Sequence, residues 1–130
     1  MGAVNDRAWA ARYDGHVKGL RHLALKSRDL RATERFYVDV LGLRIAFPHA
    51  GMLFLETPGG DDLLNFVHTR KTFDPAAGGF DHFGLHLPKA EWKRVGERLK
   101  HAKVRIRGRR GRSAVYVEDP NGYTVELYCD

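Results

Sequence analysis

Four side chains able to bind a metal or carry a proton stand inside short runs that alternate apolar and polar residues: His22, His82, His86 and Glu126. Alternation sends neighbours on a strand to opposite faces. In the first run Leu23 and Leu25 share a face with Arg21, and His22 lies opposite with Leu20 and Ala24. Further on, Phe83, Leu85 and Leu87 share one face while His82, Gly84 and His86 take the other. In the last run Tyr123, Val125 and Leu127 lie opposite Thr124, Glu126 and Tyr128. Each run therefore presents an imidazole or a carboxylate away from its apolar stripe. Gathered together such groups hold metal ions or act as general acids and bases; scattered, they are the wet side of half-buried strands. His86, two residues beyond His82, is placed as a supporting contact or an acid/base group, Tyr116 as a catalytic candidate that also lines the pocket, and Tyr128 as a pocket-lining aromatic that contacts substrate. The other histidines, 16, 49, 68 and 101, fall in loops or at a helix end and read as solvated, and Cys129 lacks the basic surroundings of a reactive thiol.

The elements that would carry these groups occur in an order that repeats. A strand over residues 19–25 is followed by a helix over 29–41, with Leu30, Thr33, Tyr37, Val40 and Leu41 at helical spacing, Phe36 flanking them and Gly42 as the stop. Strand-like runs follow at 43–47, 52–57 and 62–67, then a linker over 68–79 containing Pro75, Gly78 and Gly79. The second half gives a strand over 81–87, a helix opened by Pro88 with Trp92, Val95, Leu99 and Ala102 inward, and strands at 104–107, 113–118 and 123–128. The residues themselves match. Leu43-Arg44-Ile45 pairs with Val104-Arg105-Ile106, Leu53 to Gly60 with Val115 to Gly122, and His22 with His82, at offsets of 61, 62 and 60. Two tandem β-α-β-β-β modules, about 19–67 and 80–128, account for nearly the whole chain, and one such module cannot cover both faces of its sheet. The expected fold is α+β, one domain over 16–130 after an N-terminal extension over 1–15, with two mixed sheets curved around a shared cavity.

Composition agrees with one water-soluble domain: 130 residues, 43% apolar and 29% charged. No apolar run approaches the roughly 20 residues of a membrane span. One cysteine excludes an internal disulfide, and Met1 to Gly15 lack the apolar core of a secretory signal, so a cytoplasmic setting is expected. The net charge is +6, yet eleven basic residues and two acids lie between Lys89 and Arg112 alone. That patch suits an anionic ligand or nucleic acid. Only Tyr116 and Tyr128 offer bases a stacking surface, so nucleic acid is the weakest of the partner readings.

The segment Val115-Tyr116-Val117-Glu118-Asp119-Pro120-Asn121-Gly122-Tyr123-Thr124-Val125-Glu126 resembles the vicinal oxygen chelate superfamily, which includes glyoxalases, extradiol dioxygenases, fosfomycin-resistance transferases and bleomycin-binding proteins. Leu20 to Leu25, Asp29-Leu30, Phe36-Tyr37, Leu41-Gly42-Leu43 and Phe80-Asp81-His82 extend the resemblance over about residues 17–129. It implies a metal site made of His22, His82 and Glu126. Two imidazoles and a carboxylate would suit one divalent ion (Fe, Mn, Ni or Zn) with open positions for two neighbouring substrate oxygens, acting as a Lewis acid or bringing O2 and substrate together. The resemblance further implies a homodimer, with the metal site completed either within one chain or across the subunit interface, where His22 of one copy would meet His82 and Glu126 of the other.

The subfamily markers diverge. Asn65, at an offset of 61, or Leu64, at 62, stands where glyoxalases have a fourth, acidic ligand, and Asn65 is taken as a substrate contact; Arg107-Gly108-Arg109 fill the window of the dioxygenase histidine; and Gly108 to Arg112 is basic where the fosfomycin enzymes have an acidic loop. The implied activity is a metal-dependent dioxygenase-like or glyoxalase/lyase-like reaction on a small, anionic molecule. The alternative is a metal-free binder of the bleomycin-resistance kind. Alternation places Arg105, Arg107 and Arg109 on one strand face and leaves Arg110 and Arg112 in a loop, free to reach over the site and bind the substrate's charge.

Overall fold

The computed structural model describes residues 16–130; the N-terminal extension read from the sequence lies outside them. The first module runs β1 (His22–Ser27), helix α1 (Leu30–Glu34), a π-helical continuation over Arg35–Val40, β2 (Arg44–Phe47), β3 (Met52–Glu56) and β4 (Leu63–His68). The second runs β5 (Phe83–His86), a 3-10 turn (Lys89–Glu91), helix α2 (Trp92–His101), β6 (Ile106–Arg110), β7 (Ala114–Glu118) and β8 (Thr124–Tyr128). Each makes a four-stranded mixed sheet, in orders β1-β4-β3-β2 and β5-β8-β7-β6. The outer pairs β1–β4 and β5–β8 are parallel and the rest antiparallel. The fold is α+β and duplicated, as the repeat requires.

Three local features depart from the sequence reading. Strand β1 begins at His22 rather than residue 19, because Gly19 has φ 152° and Leu20 stands 90% exposed outside the sheet. Helix α1, capped by the Asp29 carboxylate accepting from the Ala32 N–H, widens into a π turn with Leu41 N–H donating to Phe36 C=O over 3.1 Å. Widening brings Phe36 and Tyr37 inward together, so Phe36 belongs to the core instead of flanking it. Strand β6 starts later than residue 104 and reaches Arg110, with a bulge between Ile106 and Gly108. Arg110 is therefore a strand residue, not a loop residue, and Arg107 and Arg109 do not share a face.

The core lies between helices and sheets. Leu53, Leu55, Leu64 and Phe66 of the first sheet and Val115, Val117, Val125 and Leu127 of the second are buried with Val95 and Leu99 of α2. The modules meet at a polar seam closed by the turn before β8. The Tyr37 hydroxyl donates to Asp119 Oδ2 over 2.7 Å, and Asn121 Nδ2 donates to Thr33 Oγ1 over 3.1 Å. Tyr123 Oη accepts from the Lys26 N–H at 3.1 Å and donates to the Lys26 C=O at 2.9 Å, covering backbone groups of an edge strand. Within the turn Asp119 Oδ1 accepts the Asn121 and Tyr123 N–H groups, and Gly122 takes φ 92°, which favours glycine. Burial raises the Asp119 carboxyl above its ordinary pKa and the Tyr37 hydroxyl well above its own. Among the described residues no helix is long and apolar enough to cross a membrane.

Candidate functional site

The strand register builds the same row in each module on the face away from the helices. In the first it reads Ala24, Asn65, Phe54, Phe47; in the second Gly84, Glu126, Tyr116, Gly108. Glu126 thus occupies the position that Asn65 holds in the other copy. His82, just before β5, shares the Glu126 face, and its Nε2 lies 3.1 Å from Glu126 Oε1. Its Nδ1 faces Asp81 Oδ2 at 2.5 Å. That contact, and next in order the Glu126 bond working against burial, raises the His82 pKa. The Tyr116 ring stands edge-on to His82 at 5.3 Å.

Arg110 reaches the pair from the end of β6, donating from a terminal guanidinium nitrogen to Glu126 Oε2 over 2.6 Å. This bond is the main reason the Glu126 carboxyl titrates below the usual glutamate range. The Glu126 and Tyr116 side chains together hold the Arg110 guanidinium charged. The β6 bulge turns Arg107 to the same face, where it binds Thr124 Oγ1 at 2.9 Å and pairs with Glu118. Gly84 leaves room for the Tyr128 ring, since a Cβ there would stand 3.2 Å from Tyr128 Cε1.

The remaining sequence candidates are placed apart. His22 and His82 both border a cavity of about 380 Å3 lined by β1, β4 and β5. Yet among the described residues no three His, Cys, Asp or Glu side chains cluster tightly enough to hold a metal ion, so one chain brings together His82 and Glu126 without His22. His86 sits further along β5, with Nε2 3.0 Å from Asp130 Oδ1 and its ring 5.0 Å from Tyr128. Arg112, in the turn between β6 and β7, is exposed and makes no ion pair among the described residues. Asn65 is 7% exposed, and its Oδ1 is buried without a hydrogen-bond partner.

Asp81 and Arg107 are contacts that the pattern of the sequence does not announce. Asp81 neighbours His82, and on a regular strand neighbours face apart; because β5 begins only at Phe83, the backbone there is free to let the two meet. Arg107 depends on the bulge.

The donors fit a divalent ion as half of a site. Ligand atoms about 2.0–2.2 Å from one ion lie roughly 2.8–3.6 Å from each other at octahedral or tetrahedral angles, and His82 Nε2 and Glu126 Oε1 are 3.1 Å apart. In the neutral imidazole with Nδ1–H donating to Asp81, Nε2 would offer its lone pair to a metal in place of the Glu126 bond. Glu126 has one oxygen left for a metal, the other being held by Arg110.

Comparison with known proteins agrees with this architecture. The chain is 27% identical to biphenyl-2,3-diol 1,2-dioxygenase 3 of Rhodococcus globerulus over 85% of its own length, and spans 63% of that protein. It is 23% identical to the glutathione transferase FosA of Serratia marcescens, covering 86% of this chain and 81% of that one. A glyoxalase/dioxygenase crystal structure from Nostoc punctiforme superposes with a TM-score of 0.77 at 21% identity, covering 90% of this chain and 94% of the other. The family model of the glyoxalase/bleomycin resistance protein/dioxygenase superfamily matches residues 19–127. That span takes in both modules, from the residues leading into β1 almost to the end of β8, and the chain belongs to that superfamily.

Proposed function

We propose that this chain is a divalent-metal-dependent enzyme acting on a small, anionic substrate with two neighbouring oxygens, its metal held by His82 and Glu126 of one chain and His22 of a second copy. The observation that carries the reading is the convergence of His82 Nε2 and Glu126 Oε1 at 3.1 Å on the open face of the second sheet. The names of the two curated relatives, a diol dioxygenase and a glutathione transferase, support a small-molecule reaction without choosing between them. When bound, the ion supplies Lewis acidity to adjacent substrate oxygens.

The chain's own groups supply the rest. Asp81 fixes the tautomer and orientation of His82. Arg110 orients Glu126 and leaves guanidinium N–H groups for the substrate's negative charge, with Arg112 adding field at the mouth. Tyr116, its ring edge-on to His82 and its hydroxyl toward Arg110, is one proton carrier for the site, and His86 with Asp130, against Tyr128, is a second. Asn65, presented by the first module of the second copy, gives the substrate a hydrogen-bond acceptor.

Mixing variants tests both metal and assembly. His22→Ala and Glu126→Gln homodimers should each lose nickel or zinc binding in calorimetry. A refolded equimolar mixture of the two should regain about a quarter of the sites, because about half of the dimers are mixed and each mixed dimer keeps every ligand at one of its two sites. No regain on mixing would remove the shared site. A second reading, a metal-free binder, is favoured by the Arg110–Glu126 pair, which already satisfies one carboxylate oxygen. Elemental analysis finding no metal after growth and purification with metal present would select it.

A further inference from the structure

Helix α2 leaves part of its sheet uncovered. Between the helix and the β6–β7 half of the second sheet lies a cavity of about 450 Å3, on the side opposite His82 and Glu126. Its walls are apolar, with Trp92, Val95 and Leu99 of the helix facing Val104, Val115 and Leu127. That volume falls in the range of small-ligand sites, about 300–1,000 Å3.

Two residues of this cavity break the local rules of the helix that forms it. Gly96 sits mid-helix, one residue after Val95, and a Cβ added there would meet nothing within 4 Å. An interior helix glycine gives up roughly 1 kcal/mol against alanine, and here the open space that a side chain would enter adjoins the cavity. At the other end, Lys103 is the one non-glycine residue with positive φ among the described residues, at 55°. It occupies the helix-terminating position that glycine fills by preference, with Val104 N–H closing the motif on Leu99 C=O at 3.0 Å. Glycine stands where a side chain would stabilise, and lysine where glycine would. Both line the same cavity, and such violations of local preference concentrate at functional places.

The rim is cationic. Lys100, Lys103 and Arg109 line the cavity, no acidic residue does, and none of the three makes an ion pair among the described residues. The carbonyls at the end of α2 account for a cation at Lys100, but not for lysine in a left-handed conformation or for arginine on β6. We propose that this cavity binds a free single-chain anionic amphiphile, its apolar tail between α2 and the sheet and its carboxylate on Lys100, Lys103 and Arg109.

The proposal is independent of the metal site, and its test is run with a chelator present. In a Trp9→Phe background, which leaves Trp92 as the sole indole, the full chain is titrated with decanoate, decanol and decyltrimethylammonium while Trp92 emission is followed. Decanoate should saturate the signal with an affinity about tenfold or more above decanol, and the cation should not bind. Gly96→Leu should abolish the response while raising the melting temperature. Lys103→Gly should weaken decanoate about tenfold while also raising the melting temperature. Equal affinity for decanol, or decanoate binding untouched by Gly96→Leu, would overturn the proposal. So would Gly96→Leu altering sedimentation instead of ligand binding, which would make the cavity a contact between copies.

Discussion

Replacing Tyr37 with phenylalanine tests whether the seam holds the two modules in place. The ring itself would stay, packed 4.9 Å from Phe36, 5.1 Å from Phe66 and 6.5 Å from Phe83, so little dispersion or area burial is lost. What disappears is the donor at 2.7 Å from Asp119 Oδ2, inside a residue that is 4% exposed. That oxygen then keeps only Asn121 Nδ2 at 3.1 Å. A buried hydrogen bond to a charged acceptor contributes about 1.5–3 kcal/mol. In a domain of this size that is a fall of roughly 5–15 °C in melting temperature. The pH dependence has a definite sign. Burial raises the folded Asp119 pKa while the Tyr37 hydroxyl draws it back, so removing the hydroxyl raises it further. The ionised carboxylate then lacks its donor, and the loss is full above the folded pKa. It shrinks as pH falls through that value, because a protonated Asp119 needs the donor less. Urea unfolding at neutral and at mildly acidic pH measures both quantities. A loss below about 0.5 kcal/mol at neutral pH, or an equal loss at the two pH values, would refute the account of the seam.

Arg110→Ala should raise the affinity of the His82–Glu126 pair for nickel or zinc, since a like charge leaves the carboxylate, and should weaken anionic ligands while sparing neutral ones; calorimetry with each reads this. In unfolding experiments the same variant should differ from wild type above the usual glutamate range and converge on it as pH falls through the depressed Glu126 value, because the Arg110 contribution exists only while Glu126 is ionised. Gly122→Ala should cost about 1–2 kcal/mol of stability in chemical denaturation, for it forces a side chain into φ 92° with its Cβ 3.0 Å from Pro75 Cγ. Asn65→Leu should stabilise by about 1–3 kcal/mol, the penalty of a buried polar atom without a partner, and calorimetry should show weaker substrate binding.

The duplication was legible because the two copies still share their punctuation. Pro58-Gly59-Gly60 and Pro120-Asn121-Gly122 mark the same hairpin, and the apolar alternation on either side fixes which face each side chain takes. Alternation gives the face but not the register, so the repeat left either Asn65 or Leu64 matching Glu126, and the strand pairing selects Asn65. The π turn was hidden: its residues keep a helical apolar pattern, and the widening that buries Phe36 is decided by packing against Tyr37 and the sheet. The bulge in β6 was hidden as well, because an unbroken Arg-rich run carries no turn residue except Gly108. That single inserted residue decides which arginines meet Glu126 and which meet the cavity under α2. Alternation gave the face of His82 and of Glu126, but their meeting was implied only by the family resemblance, and the β5–β8 pairing brings them together. The sequence left open whether His22 joins them within one chain or across two, and among the described residues it does not join them within one chain.

The seam also sets a timetable. Its bonds join residues far apart in the chain: 82 positions from Tyr37 to Asp119, 88 from Thr33 to Asn121 and 97 from Lys26 to Tyr123. At the usual rate of synthesis, about 5–20 residues per second, Asp119 is added roughly 4–16 s after Tyr37. From the addition of His68, the end of β4, until Asp119 follows, the first module has its four strands but neither the acceptor for the Tyr37 hydroxyl nor the cover over Lys26 on β1. A nascent first module therefore waits with an uncapped strand edge, which is the surface another nascent chain can pair with. Folding yield should then depend on how quickly the ribosome delivers the Asp119–Tyr123 turn, and slow codons between β4 and β7 should lower it without changing one residue of the protein.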